Sequence, residues 1–192
     1  MSISNESKTI AKMASQAFGG ELKVYRYWDN DDNSSVDILS AVNRPYEGIT
    51  SFSTIGLSDH SINYVVEEKP LQIEIVGAYA TKAEYFPNVL STCAFNIINS
   101  GYSCAPGTIF RGVINMYYKN SEMEHVMFAP PFLWDESLKR IDFPNKLVVW
   151  LLAVPISEKE YLFAKENGTD QLESLFEDEQ IDIFDIERGS VL

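Results

Sequence analysis

The densest set of potential ligand atoms lies at 29–35, DNDDNSS. Asp29, Asp31 and Asn33 match the first three ligand positions of an EF-hand calcium loop, where short oxygen-bearing side chains at alternate positions turn onto one cation. The match then fails. Ser34 stands where the tight turn needs glycine, and Ser40 where a bidentate glutamate closes the shell. With strand-like residues on both sides, the segment reads as a solvated hairpin turn. Ser58, Asp59 and His60 hold the residue types of a hydrolytic triad, but consecutive residues cannot supply its mutual geometry, and no G-x-S-x-G elbow is present. They read as a turn between strands. The two histidines, His60 and His125, and two unpaired cysteines leave few ligands for zinc. His125 reads as a packed residue of a strand. Gly19-Gly20 lacks the G-K-[ST] of a phosphate loop. A hydrolase working through a carboxylate pair stays open only because carboxylates are plentiful. No cofactor or metal is expected.

The charge distribution says more. The chain carries a formal net charge of −13. Residues 157–192 alone hold eleven acids against Lys159, Lys165 and Arg188. Such a field repels nucleic acid and anionic membranes and attracts basic partners. Arg26, Arg44, Lys139 and Arg140 form no basic stripe, which argues further against nucleic acid.

A chain of 192 residues with 45% apolar and 12% aromatic composition is long enough for one domain with its own core, and 1–192 is read as such. The N-terminal stretch has no basic region followed by an apolar one, and the longest apolar run, LVVWLLAV, suits a buried strand. A cytoplasmic protein follows, with Cys93 a thiol in an apolar helical stripe. A Cys93–Cys104 bridge is open on spacing but not favoured. Ile10, Met13, Ala14 and Ala17 mark an amphipathic first helix within 1–19, stopped by Gly19-Gly20. KVYRYW, VDILSAV, 49–57 and LQIEIVGAY read as strands, the last with one buried face because Leu71, Ile73 and Ile75 alternate with Gln72 and Glu74. Pro87 opens a helix that Gly101 ends, with Leu90, Cys93, Ala94 and Ile97 inward. A loop-rich stretch, 102–120, precedes HVMFA and LVVWLLAV, both strands. Ser157 and Glu160 form an S-x-x-E capping box with Ile156 and Tyr161 at staple positions; that helix runs to Gly168, a second starts at Thr169 or Asp170, and IDIFDI reads as a closing strand. The fold class is α+β, with a mixed, largely antiparallel sheet and packed helices.

Four stretches, in order, resemble the suppressor-of-fused domain family: ITSFSTIGLSDH at 49–60; LQIEIVGAY with FPNVLSTCAFNIINSGYSCAPGTIF at 86–110; AVPISEKEYLFAKENGTDQLESLFEDE; and the closing IFDIERGSV. The resemblance spans roughly 20 to 191. It implies a suppressor-of-fused-like domain and, within the family, similarity to bacterial single-domain immunity (antitoxin) proteins of LXG polymorphic toxins. By that resemblance the partner is the C-terminal toxic domain of a cognate toxin, a nuclease, and the action is binding without catalysis. The alternative is a suppressor-of-fused-like adaptor that sequesters another protein.

A nuclease offers a basic cleft, which an acidic surface can contest and reach quickly by electrostatic steering. Tight binding needs aromatic anchors as well. The candidate partner-binding residues are therefore Asp29, Asp31 and Asp32 on the turn, Trp28 with Tyr27 beside it, and Glu173, Glu177, Asp178 and Glu179 on the last helix.

Overall fold

A computed structural model describes residues 4–134 and 136–192. Positions 1–3 of the expected 1–19 segment lie outside it. Helix α1 (Asn5–Phe18) is capped by Ser4, whose hydroxyl accepts from the Ser7 amide, and it buries Ile10, Ala14 and Phe18. Strands β1 (Leu22–Trp28), β2 (Ser35–Val42), β3 (Ile49–Ile55), β4 (Tyr64–Val66) and β5 (Lys69–Ala80) lead to helix α2 (Phe86–Ser100). Strands β6 (Ile109–Phe110), β7 (Met123–Ala129), β8 (Ile141–Asp142) and β9 (Leu147–Ser157) follow, then α3 (Glu158–Asn167) and α4 (Thr169–Asp178).

Among the described residues, nine strands form one sheet in the order β1-β2-β3-β5-β9-β7-β6, with β4 pairing β5 and β8 pairing β9. Every pairing is antiparallel except that of the two longest strands, β5 and β9, which lie parallel at its centre. The sheet is covered on both sides. Val36, Ile38, Ile73, Ile75, Phe128 and Leu151 face α2, where Phe86, Leu90, Cys93 and Ile97 meet them. Leu39, Val76, Met127, Trp150 and Leu152 face Ile10 and Phe18 of α1, Ala164 of α3, and Leu172 and Phe176 of α4. Double covering explains why LVVWLLAV is an unbroken apolar run: both of its faces are core. The mixed, largely antiparallel sheet with packed helices is as the sequence indicates.

The same geometry corrects the reading of β5. Gln72 and Glu74 do not face water; both are buried, and Glu74 is 0% exposed. Its carboxylate accepts from the Thr54 hydroxyl at 2.6 Å and from the amides of Gly56 (3.0 Å) and Ser58 (3.1 Å). Burial raises its pKa, and these donors offset part of the rise. The bonds also account for the G-L-S-D motif. Gly56 takes φ +95°, ending β3 two residues before the expected 57 and starting the 3-10 turn Leu57–Asp59. Lys146 closes that turn, donating to the Ser58 carbonyl and to Asp59.

IDIFDI does not form a closing strand. The carboxylates of Asp182 and Asp185 accept from the amides two residues on, those of Phe184 and Glu187, and this local turn chemistry wins over extension. The segment is instead a strap held by its ends. Arg188 makes a two-pronged pair with the fully buried Glu160 at 2.7 and 2.9 Å and also donates to the Pro155 carbonyl. Glu160 completes both bonds of the expected capping box with Ser157. One buried carboxylate thus starts α3 and anchors the end of the chain. The stretch 102–120 is largely loop but contains β6 and a 3-10 turn, Ile114–Met116. Its Pro-Gly turn backs onto α4: Gly107 has φ +83°, and a Cβ there would lie 2.6 Å from the Thr169 hydroxyl.

Candidate functional site

A cleft of about 1070 Å³ lies between the β1–β2 turn, the outer face of α2 and the loop after it. Its position follows from α2. One face of that helix is apolar and buried, so the polar residues Asn88, Thr92, Asn96 and Asn99, spaced by three or four, form the opposite wall. Tyr117 hydrogen-bonds Thr92 and holds the loop against the helix. Tyr102 stands half exposed with its ring edge-on to buried Phe110, 5.5 Å between centroids.

The acidic turn forms the far lip. Asp29 accepts from the Asn33 amide at 2.8 Å and from the Asn99 side chain at 2.9 Å; Ser34 donates to the other end of the Asn99 amide at 2.7 Å. Asn99 therefore ties the hairpin to α2. Slight desolvation raises the Asp29 pKa, but hydrogen bonds involving Ser34, Asn33, Asn99 and Asp31 outweigh it and leave the group below the usual aspartate value. This is the hairpin turn expected from the sequence, with Asp29 a structural tether. Asp31 lines the cleft and Asp32 lies beside it, both exposed and without a side-chain partner among the described residues. Trp28 is 52% exposed at the cleft mouth, while Tyr27 packs partly into the core below. The cleft thus joins Tyr27, Trp28, Asp29 and Asp31 from the sequence-derived set. Tyr102, Met116 and the asparagine wall were missed there. The polar stripe of α2 was the available signal for the wall.

The other four residues lie elsewhere. Glu173 and Glu177 edge a smaller apolar groove of about 400 Å³ beside α4, on the opposite face of the sheet. Asp178 and Glu179 are exposed at the end of α4 and line neither concavity. No single surface gathers all nine residues.

A third cluster bears on catalysis and metals. Glu124, His125 and Glu158 place ligand atoms within 4.8 Å of one another. His125, 3% exposed, sits between the Gly112 amide at 2.9 Å from Nδ1 and Glu158 at 2.6 Å from Nε2. Because Nδ1 accepts, the ring proton lies on Nε2 and is donated to Glu158. A metal at Nε2 would need that proton on Nδ1, facing the Gly112 N–H, whereas metal-bound imidazoles donate from the second nitrogen. The bond to His125 also lowers the Glu158 pKa, beyond what its slight desolvation offsets, and Arg111 lowers it further. Arg111 lies over the Tyr161 ring at 4.4 Å. The cluster reads as a tether of β7 to α3. Cys93 and Cys104 are both free and buried, and burial pushes both thiols up, which makes them poor nucleophiles. Among the described residues no helix is long and apolar enough to cross a membrane.

Comparison with known proteins agrees with this architecture. Residues 32–189 match the family model described as suppressor of fused protein (SUFU). The chain is 56% identical over its full length, and the full length of the relative, to a Bacillus subtilis (strain 168) protein named Immunity protein YqcF. A suppressor-of-fused homologue from Neisseria gonorrhoeae FA 1090 superposes with TM-score 0.73 at 14% identity, covering 98% of this chain and 97% of its own. The structure titled the Sufu-Fu complex gives TM-score 0.60 at 16% identity over 97% and 92%. Drosophila Suppressor of Fused gives 0.54 at 19% identity, over 88% of this chain and 42% of that one. The chain belongs to the suppressor-of-fused family.

Proposed function

We propose that this protein is an immunity protein that acts in the cytoplasm by binding the C-terminal toxic domain of a cognate LXG-type toxin, a nuclease, and blocking it without catalysis. The observation that carries this reading is the end-to-end 56% identity to a relative named for immunity. The cleft supplies suitable chemistry. Exposed Trp28 and Tyr102 and the flexible Met116 offer apolar anchors on rigid supports, and the asparagine wall offers donors and acceptors for a partner's backbone. Asp31 and Asp32 lie at the lip with carboxylates unpaired among the described residues, placed to meet lysine or arginine of a phosphate-binding surface. The net charge of −13 would speed encounter with a basic domain and make the association rate fall with salt.

The test is co-expression. Cells making the C-terminal domain of the proposed cognate LXG-type toxin should die, and this protein should restore growth. A Trp28→Ala/Asp31→Ala variant that folds normally should restore it poorly. Full rescue by that variant would remove the cleft from the reading, and no rescue by the natural protein would remove the immunity role for that toxin.

A further inference from the structure

The groove beside α4 has a composition unlike the cleft. Its floor is apolar, built from Met127, Ala129, Val154 and Phe176, and Phe132 stands 50% exposed at one lip. The other lip is α4, whose sequence TDQLESLFED contains no lysine or arginine. Glu173 and Glu177, one turn apart, border the apolar floor, and neither carboxylate makes a hydrogen bond or ion pair among the described residues. Elsewhere the drawn-in carboxylates have partners: Glu160 meets Arg188, and Glu74 takes donors from Thr54, Gly56 and Ser58. Glu173 is partly withdrawn from water without such a partner. Its burial, then repulsion from Asp170 and Glu177, raises its pKa. A cation brought from outside would relieve that repulsion, and an apolar side chain beside it would cover Phe132 and Phe176.

We infer that this groove docks an amphipathic segment of a protein partner, with aliphatic or aromatic side chains on Met127, Val154 and Phe176 and lysine or arginine against Glu173 and Glu177. Charge complementarity selects this occupant. An acidic segment would place like charges together, and a wholly apolar one would leave Glu173 desolvated without a partner. The groove stands on its own residues and does not depend on the immunity reading.

The probe is a synthetic helical peptide of about 15 residues, with leucines at i, i+3, i+4 and i+7 and lysines between. It is titrated into the full chain labelled for amide NMR, beside a scrambled peptide of the same composition. The ordered peptide is expected to bind about tenfold more tightly than the scramble, with shifts centred on Met127, Phe132, Phe176 and Ile181. Glu173→Gln/Glu177→Gln should weaken it about tenfold, and so should Phe132→Ala, which leaves every charge in place. Glu47→Gln/Glu68→Gln removes the same charge from exposed positions elsewhere and should leave binding nearly unchanged. Equal binding of the scramble, equal loss from the two charge pairs, or shifts centred on the cleft would overturn the inference. The probe contains no toxin, so its failure leaves the cleft reading where it stands.

Discussion

Asp29 and Glu173 each stand at the edge of a groove, on opposite faces of one sheet, and they are held in opposite ways. Asp29 is fully engaged by Asn33 and Asn99, and hydrogen bonding lowers its pKa. Glu173 has no partner among the described residues, and burial with like-charged neighbours raises its pKa. In the first region a carboxylate builds the wall on which Trp28 and Asp31 are presented. In the second the carboxylate is itself the presented group. A third acid, Glu160, lies in the same C-terminal stretch as Glu173 yet is sealed inside with Arg188. Acidity in this protein is therefore three properties: a fastener, a scaffold and a surface.

Breaking the fastener should have the largest effect. Arg188→Ala leaves Glu160 buried and unpaired and is expected to cost about 3–5 kcal/mol, read by urea denaturation. A loss near zero would mean the strap is loose in solution. The next effect is in binding. Trp28→Ala is expected to weaken the proposed complex with the toxin domain by about 2 kcal/mol or more, mainly through faster dissociation, with the denaturation midpoint unchanged. Asn99→Ala should free the Asp29 turn without touching Trp28. The Asn33 amide should exchange faster with solvent, and binding should weaken less than in Trp28→Ala. If exchange is unchanged, Asn99 is not the tether.

The smallest effects have opposite signs in pH. Asp29 has a lowered native pKa, so its contribution is present above the ordinary aspartate value of about 3.9 and is lost as pH falls through the native value. Glu173 has a raised native pKa, so its contribution is present below the ordinary glutamate value of about 4.3 and is lost as pH rises through the native value. Hence Asp29→Asn should lose stability relative to the natural protein most clearly at neutral pH, and the gap should close in acid. Glu173→Gln should match or slightly exceed the natural protein at neutral pH, by less than about 0.5 kcal/mol because the site is partly solvated. Thermal denaturation of both variants from pH 3 to 7 separates the two behaviours, and parallel curves would erase the distinction.

Local rules carried much of the fold. The capping box at Ser157, the glycine stops at Gly19 and Gly101 and the hairpin around 29–34 depend on residues close in sequence, and each stands where its pattern indicates. Long-range pairing was not legible. Alternation in β5 suggested one wet face because a buried Glu74 cannot be recognised until Thr54, Gly56 and Ser58 are seen to converge on it. IDIFDI has strand composition, but two aspartates turn its backbone locally and Arg188 finds Glu160 instead. At the candidate cleft, the adjacency of Trp28 and the acidic turn was legible in the sequence, and the exposure of Trp28 was not. Their wall was not, because Asn99 meets Asp29 across 70 positions of chain. Nor could charge alone divide the acidic residues between a cleft on one face and a groove on the other.

The most direct measurement is an equivalence titration of the proposed cognate toxin's C-terminal domain with this protein, following the nuclease activity proposed for that domain. The proposed mode predicts a linear fall to zero at one equivalent, with the Trp28→Ala variant curving away and needing excess. Full inhibition at far below one equivalent would reveal an enzyme acting on the toxin. Undiminished activity at a large excess would contradict immunity toward that toxin.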